Sequence, residues 1–349
     1  MRFIKYFVLS VLAAGGAYVA AVVFVNPRGQ FGGRRFPWVV QNSRKVKLHL
    51  FGSYAREASV QVLLLGSSRT MMIEPREVDS LTGLRSFNFG VSSAFPEDCL
   101  AVYRWARARG AAPRLLVIGL DPGSLGSETG TTEQLRDTVE LAEQIDPTLR
   151  APLLGFLHRV NLYKNTFSVV YAKEILRSIE LRMRPETPLT EFRPDGSIQY
   201  TRWDQQIVNG TFQKEVTDSA CISRVTHEIK SGSESQKRIG YLRALLEEAH
   251  RDGVRVIIWL TPNHPALFEQ LSADHVSPYR LDLVRKRIEA LARSSGAEVI
   301  DLSDPASFNG DPVRWYDCVH YHKEDATKIV RRLFARTLPG LPRRSSRPS

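Results

Sequence analysis

A chain of 349 residues with 43% hydrophobic and 24% charged residues can bury a sizeable core, which excludes wholesale disorder. Its formal net charge of +11 comes from basic residues spread along the chain, with one dense cluster, Arg343, Arg344 and Arg347, in a Pro/Ser-rich tail. No basic face interleaved with aromatics accompanies the charge, so no nucleic-acid partner is expected; anionic lipid head groups or an anionic polymer fit it better.

From Phe7 to Val25 the sequence carries no charge and is rich in Val, Ala, Phe and Leu. Such a run is long enough to cross a bilayer as a helix. A cleavable signal peptide competes, with small residues near Ala17-Tyr18-Val19-Ala20, but the apolar run continues past that point, which favours an uncleaved anchor over residues 1–26. Arg2 and Lys5 precede the span and Arg28, Arg34 and Arg35 follow it, so charge alone does not orient it. Residues 27–56 read as a basic, aromatic-containing connector, 57–340 as the main domain and 341–349 as a basic flexible tail.

Within the main domain, short apolar runs end at turn residues: Val62–Leu65 at Gly66, Leu84–Phe89 at Gly90, Leu115–Leu120 at Asp121-Pro122, Val254–Leu260 at Thr261-Pro262, and Ala297–Ile300 at Asp301. Such runs suit strands buried on both faces. Amphipathic helical patterns lie between or beyond them, over Ala94–Arg109, Glu234–Arg251, Leu281–Ala292 and Glu324–Leu338. The alternation predicts a parallel sheet with helices on both sides. The interval of about 123–233 breaks it with a helical pattern over Tyr171–Met183 and a turn at Arg193-Pro194-Asp195-Gly196, and reads as an insertion that caps the site.

In open parallel sheets, ligand and catalytic groups gather beyond the carboxyl ends of the strands. Those ends carry Gly66-Ser67-Ser68-Arg69, Asn88-Phe89-Gly90 and Gly119-Leu120-Asp121, and after the last strand comes Trp315-Tyr316-Asp317-Cys318-Val319-His320. Taken singly each has a bland reading, as a helix cap, a turn or a solvated pair. Together they supply a nucleophile, an oxyanion donor and a base held by a carboxylate. His264 and Arg69 are further candidates for the substrate path, His322 for the base, and Asp301 and Asp304 for the carboxylate. The three cysteines, Cys99, Cys221 and Cys318, show no metal spacing; one disulfide among them is left open, and Cys318 reads as a small packing residue. No dinucleotide fingerprint, phosphate cradle or metal set stands out, so neither cofactor nor metal is expected.

These blocks resemble the SGNH (GDSL-like) hydrolase superfamily over roughly Gln61–Leu338, the middle insertion matching poorly. The resemblance implies Ser68 as nucleophile, Asp317 and His320 completing the triad, and the Ser68 and Gly90 amides as oxyanion donors. Arg69, Asn88, Asp121 and His264 are then substrate-binding candidates. One block departs: where the family has an asparagine that donates to the oxyanion, this chain has Asp121, and an ionised carboxylate cannot donate. The implied fold is a flavodoxin-like three-layer α/β sandwich with a central parallel sheet, an inserted helical cap and one N-terminal transmembrane helix. With the anchor, the chain is similar to membrane-held polysaccharide O-acetylation and D-alanyl-transfer proteins. That likeness implies an esterase or O-acyltransferase on the outer, periplasmic side, acting on an acylated envelope or exported polysaccharide beside membrane lipid and a multi-spanning acyltransferase partner. The alternative is a non-catalytic protein that uses the fold to bind a polysaccharide or an assembly partner.

Overall fold

The computed structural model describes residues 2–31, 35–39, 42–57, 59–126, 132–151, 153, 155–156, 160, 166–212, 219–277 and 279–335. The basic tail 341–349, the end of the last predicted helix and part of the connector, including Arg34, lie outside the described residues. The chain divides into two units, one formed by Met1–Val46 and Pro147–Pro188, the other by Lys47–Asp146 and Leu189–Ser349. The predicted insertion is thus shared between them.

The larger unit is built on five parallel strands, β1 (Val62–Leu65), β2 (Ser86–Asn88), β3 (Leu115–Leu120), β6 (Arg255–Leu260) and β7 (Glu298–Asp301). They stand in the order β2-β1-β3-β6-β7, the doubly wound order in which ligands meet the sheet where the strand sequence reverses. The remaining strands, β4 (Glu191–Phe192) and β5 (Ile198–Gln199), form a separate antiparallel hairpin around the turn at Arg193–Gly196. Each strand is too short to show a period-two pattern.

Alternate side chains of β1, β3 and β6 go to opposite faces, and both faces are buried. Leu63, Leu65, Leu116, Ile118, Val256 and Ile258 meet α5 (Pro96–Ala108), α11 (Gln236–Arg251) and α13 (Leu281–Ser295) through Leu100, Tyr103, Leu242, Leu245 and Ile288. Val62, Leu64, Leu115, Val117, Ile257 and Trp259 meet α4 (Pro75–Thr82) and α14 (Lys323–Phe334) through Val78, Ile329, Val330 and Leu333. Burial on both faces explains why these strands read as unbroken apolar runs. The three layers form an α/β sandwich with a five-stranded parallel sheet.

Part of the predicted connector is helical: α2 (Ser43–Glu57) brings Phe51 into the core against Phe87, Phe89 and Trp105. Its Lys47 is fully buried, and burial pushes its pKa well below the ordinary lysine value. The ammonium donates to the carbonyls of Asn88 and Gly196, which ties the β4–β5 turn to the carboxyl end of β2. A Cβ at Gly196 would lie 2.1 Å from the Asn88 carbonyl oxygen, so only glycine allows that approach.

In the smaller unit, α1 (Arg2–Val25) is long and apolar enough to cross a membrane. Its end packs on α8 (Val169–Met183), where Val22, Val25, Tyr171 and Ile175 form a small core. The insertion also carries α6 (Glu133–Arg136), α7 (Val139–Ile145), α9 (Thr201–Val208) and α10 (Ser219–Lys230) among the described residues, and α12 (Pro265–Ser272) follows β6.

Candidate active site

All five strands are parallel, so their carboxyl ends share one edge, and the turns beyond them stay paired. Val91 N–H donates to the Gly66 carbonyl at 2.9 Å and Thr261 N–H to the Leu120 carbonyl at 3.0 Å. At the centre, β1 passes through Gly66 into the short helix α3 (Ser68–Met71). Gly66 adopts φ +141°, and a Cβ there would lie 2.3 Å from Thr70 Oγ1 and 2.6 Å from the Gly119 carbonyl oxygen. Ser67 caps α3, its hydroxyl accepting from Arg69 N–H at 3.2 Å. Ser68 therefore stands at the first helical position, partly exposed, and its N–H has no acceptor among the described residues.

The late Asp-x-x-His segment is the tip of a tight reversal, closed by the Trp315–Tyr321 bridge and by His322 N–H to the Arg314 carbonyl at 2.9 Å. Asp317 Oδ1 accepts the backbone N–H groups of Val319 at 2.8 Å and His320 at 2.6 Å. Its other oxygen lies 2.6 Å from His320 Nδ1, and His320 Nε2 lies 2.8 Å from Ser68 Oγ. The structure thus brings Ser68, His320 and Asp317 into one hydrogen-bonded line. Burial pushes the Asp317 carboxyl upward, but the His320 ring and the two backbone donors outweigh it and hold the group below the ordinary aspartate value. An ionised carboxylate only accepts, so the Nδ1 proton belongs to the ring and Nε2 presents its lone pair to the Ser68 hydroxyl.

Three carbonyls of that tip are fixed from outside it or across it. Cys318 O accepts from His264 N–H at 3.1 Å, Val319 O from Arg69 Nε at 3.0 Å, and His320 O from Tyr316 N–H at 2.8 Å. Cys318 is not a plain packing residue: it is disulfide-bonded to Cys221 on α10, while Cys99 is buried and takes no part in that bond. The pairing joins positions far apart in sequence and follows no local spacing rule.

Four sequence candidates take other roles. Arg69 is buried rather than facing a substrate; its guanidinium donates to Thr261 Oγ1 at 2.9 Å and lies 3.4 Å from Asp121 Oδ1. Asp121 Oδ1 also accepts from Ser67 Oγ at 2.9 Å and Thr261 Oγ1 at 2.6 Å, so this carboxylate binds the ends of β1, β3 and β6 together. Asn88 is fully buried, its amide nitrogen donating to the carbonyls of Thr70 at 2.8 Å and Ile73 at 2.7 Å. Its Oδ1 accepts the Gly90 N–H at 2.9 Å, so in this conformation the Gly90 amide is turned to Asn88 rather than to an oxyanion. His264 caps α12, its Nδ1 accepting from Ala266 N–H at 3.3 Å, with its ring edge on Trp315.

The alternatives weighed from sequence lie elsewhere. His322 packs on Tyr316 and lies 3.9 Å from Asp204, and burial lowers its pKa from the ordinary imidazole value. Asp301 holds Ser303, and Asp304 caps the turn at Pro305–Phe308. Tyr200, Trp203 and Tyr316 form a stacked aromatic wall, with the Tyr200 ring 5.7 Å from that of His320. Burial and then the Asp317 charge push the Tyr200 phenol upward, so it stays neutral beside the relay. Sequence reasoning missed this wall, although Tyr200 and Trp203 stand three apart at a helix start. It also missed the role of Thr261, and it left the disulfide partner of Cys318 open.

Compared with protein-family models and with curated proteins, the chain matches none.

Proposed function

We propose that this chain is a membrane-anchored serine esterase or O-acyltransferase of the SGNH type, acting on acyl esters of a cell-envelope or exported polysaccharide. The observation that carries the reading is the line from Asp317 through His320 to Ser68, at 2.6 and 2.8 Å. As His320 Nε2 takes the hydroxyl proton, Ser68 Oγ bonds to the ester carbonyl carbon, and Asp317 stabilises the imidazolium. Collapse of the tetrahedral intermediate breaks the ester C–O bond, and the imidazolium protonates the departing alkoxide. Water or a sugar hydroxyl then gives its proton to His320 and attacks the acyl-serine, which releases the acid or the new ester and restores Ser68. The Ser68 N–H, free at the start of α3, is the oxyanion donor in this scheme.

The apolar helix α1 supports the anchor, and the Cys221–Cys318 disulfide, which suits an oxidising compartment, supports placing the larger unit outside the cytoplasm. A multi-spanning acyltransferase in the same membrane is the partner this reading calls for. One observation favours the second reading, a non-catalytic binding protein: Gly90 N–H and Asp121 are both engaged within the protein, which leaves the oxyanion a thin donor set.

The full chain in detergent, with 4-nitrophenyl acetate as substrate, separates the two. Turnover that Ser68→Ala and His320→Ala each reduce by about 10³-fold or more, with an acyl adduct on Ser68 by mass spectrometry, is the result expected of the enzyme. A folded wild type with neither turnover nor labelling of Ser68 by a fluorophosphonate refutes it and leaves the binding protein.

A further inference from the structure

Helix α1 and the start of α8 are held side by side in a way that bears on what α8 touches. Between Tyr6 and Val25, α1 carries no charge, and at a rise of 1.5 Å per residue this stretch is about 30 Å long, the thickness of a bilayer's hydrocarbon core. Tyr18 lies seven residues before Val25, so it sits about 10 Å inside that end. Its hydroxyl donates to the Thr166 carbonyl at 2.5 Å, and its ring lies 5.9 Å from that of Phe167. Further along, Val22 and Val25 pack on Tyr171 and Ile175, and Arg28 forms a two-pronged ion pair with Glu174 at 2.6 and 2.8 Å. The two helices therefore climb together, with the first turn of α8 at the depth of Tyr18 and Glu174 at the level of Arg28, beyond the apolar stretch.

The side chains at and just before that first turn are apolar and largely uncovered: Phe167 is 69% exposed, Val169 73% and Val170 60%. Along α8 and just after it the cations lie beyond that turn, at Lys173, Arg177, Arg182 and Arg184, whereas Lys164 precedes it in sequence. Two polar groups at the deep end are paired internally, which lowers the cost of placing them in hydrocarbon. Thr166 O is met by Tyr18, and Ser168 Oγ accepts the Tyr171 N–H at 3.2 Å. We infer that the start of α8, through Phe167, Val169 and Val170, dips into the bilayer beside α1, with the later basic residues at the head groups. The insertion thus gives the chain a second membrane contact, whose occupant is lipid. The depth matches that of interfacial apolar segments, about 5–10 Å, and the cations along the later turns of α8 suit anionic head groups.

The inference rests on α1 spanning the membrane, and one experiment tests both separately. Cys99 is buried and Cys221 and Cys318 are paired, so among the described residues an introduced exposed cysteine is the reactive thiol. The full chain is labelled with a bimane maleimide at Val11→Cys, Val170→Cys or Arg184→Cys and placed in phosphatidylcholine/phosphatidylglycerol vesicles containing brominated phosphatidylcholine. The expected result is strong quenching at Val11→Cys and quenching at Val170→Cys at least ~3-fold above that at Arg184→Cys. Quenching at Val11→Cys with Val170→Cys no different from Arg184→Cys overturns the dipping helix and leaves the anchor standing. No quenching at Val11→Cys overturns the anchor and the inference with it.

Discussion

Breaking the Cys221–Cys318 disulfide should cost stability and spare the esterase activity proposed for Ser68. The bond closes a loop with a sequence separation of 97. A loop on the order of 100 residues carries a chain-entropy contribution of about 4.7 kcal/mol, and measured losses run at about 2–5 kcal/mol. For a folded unit on the order of 250 residues, each kcal/mol shifts the midpoint by about 2–4 °C, so Cys221→Ser should melt roughly 5–15 °C lower. The Ser68–His320–Asp317 geometry should survive, because the tip bearing Asp317 and His320 is also held by hydrogen bonds to its carbonyls from His264, Arg69 and Tyr316. At a temperature where both proteins are folded, turnover of 4-nitrophenyl acetate by Cys221→Ser should stay within ~3-fold of wild type, a displaced base costing far more. Scanning fluorimetry with and without reductant, beside the rate assay, decides it. A variant that loses turnover with an unchanged midpoint refutes the reasoning, as does titration of three free thiols in the unreduced, unfolded wild type.

Asn88→Ala leaves the carbonyls of Thr70 and Ile73 and the Gly90 N–H without their present partners, and should cost roughly 2–5 kcal/mol in urea unfolding, whereas a surface asparagine would cost almost nothing. Asp121→Asn removes the countercharge of the buried Arg69. Because Asp121 is partly exposed, the expected loss is roughly 1–3 kcal/mol, read as a lower urea midpoint at unchanged slope. Asp317 is held below its ordinary pKa, so its stabilising contribution is complete above the unfolded value of about 4 and is lost as pH falls through the folded value. The stability gap between wild type and Asp317→Asn should therefore shrink as pH drops below about 4, and a gap independent of pH would contradict the pairing with His320.

The strands were legible because they are buried on both faces, and unbroken apolar runs closed by turn residues have few other readings. Val62–Leu65 and Leu115–Leu120 match the observed strands residue for residue. The relay was legible for a different reason: nucleophile and base each stand at a chain reversal beyond a strand, and parallel topology brings such positions to one edge. What stayed hidden depends on which way a polar side chain turns. Arg69 beside a serine reads as a substrate clamp, but α3 turns it inward to Val319 and Thr261. Asn88 at a strand end reads as a ligand, yet the first turn after Ser68 needs its amide to satisfy two carbonyls. Helix α2 has a weak apolar stripe and reads as a connector; its place is set by Phe51 and by the buried Lys47, which are tertiary facts.

The distance from Ser68 to His320 is held by bonds between the neighbours of those two residues, not by the relay alone. Arg69 follows Ser68, and its guanidinium donates to the carbonyl of Val319, which precedes His320. Tyr321 follows His320, and its hydroxyl donates to the carbonyl of Arg69 at 2.5 Å. The two halves of the site, some 250 residues apart in sequence, are thus cross-linked on both sides of the relay. Arg69 and Tyr321 are both buried, so water does not compete for either bond. Both side chains are spent on bonds within the protein, and mutation of either should be felt as a displaced His320. The requirement for an arginine at position 69 follows from this geometry: a lysine could not donate to Val319 and Thr261 from two separate nitrogens of a single rigid plane.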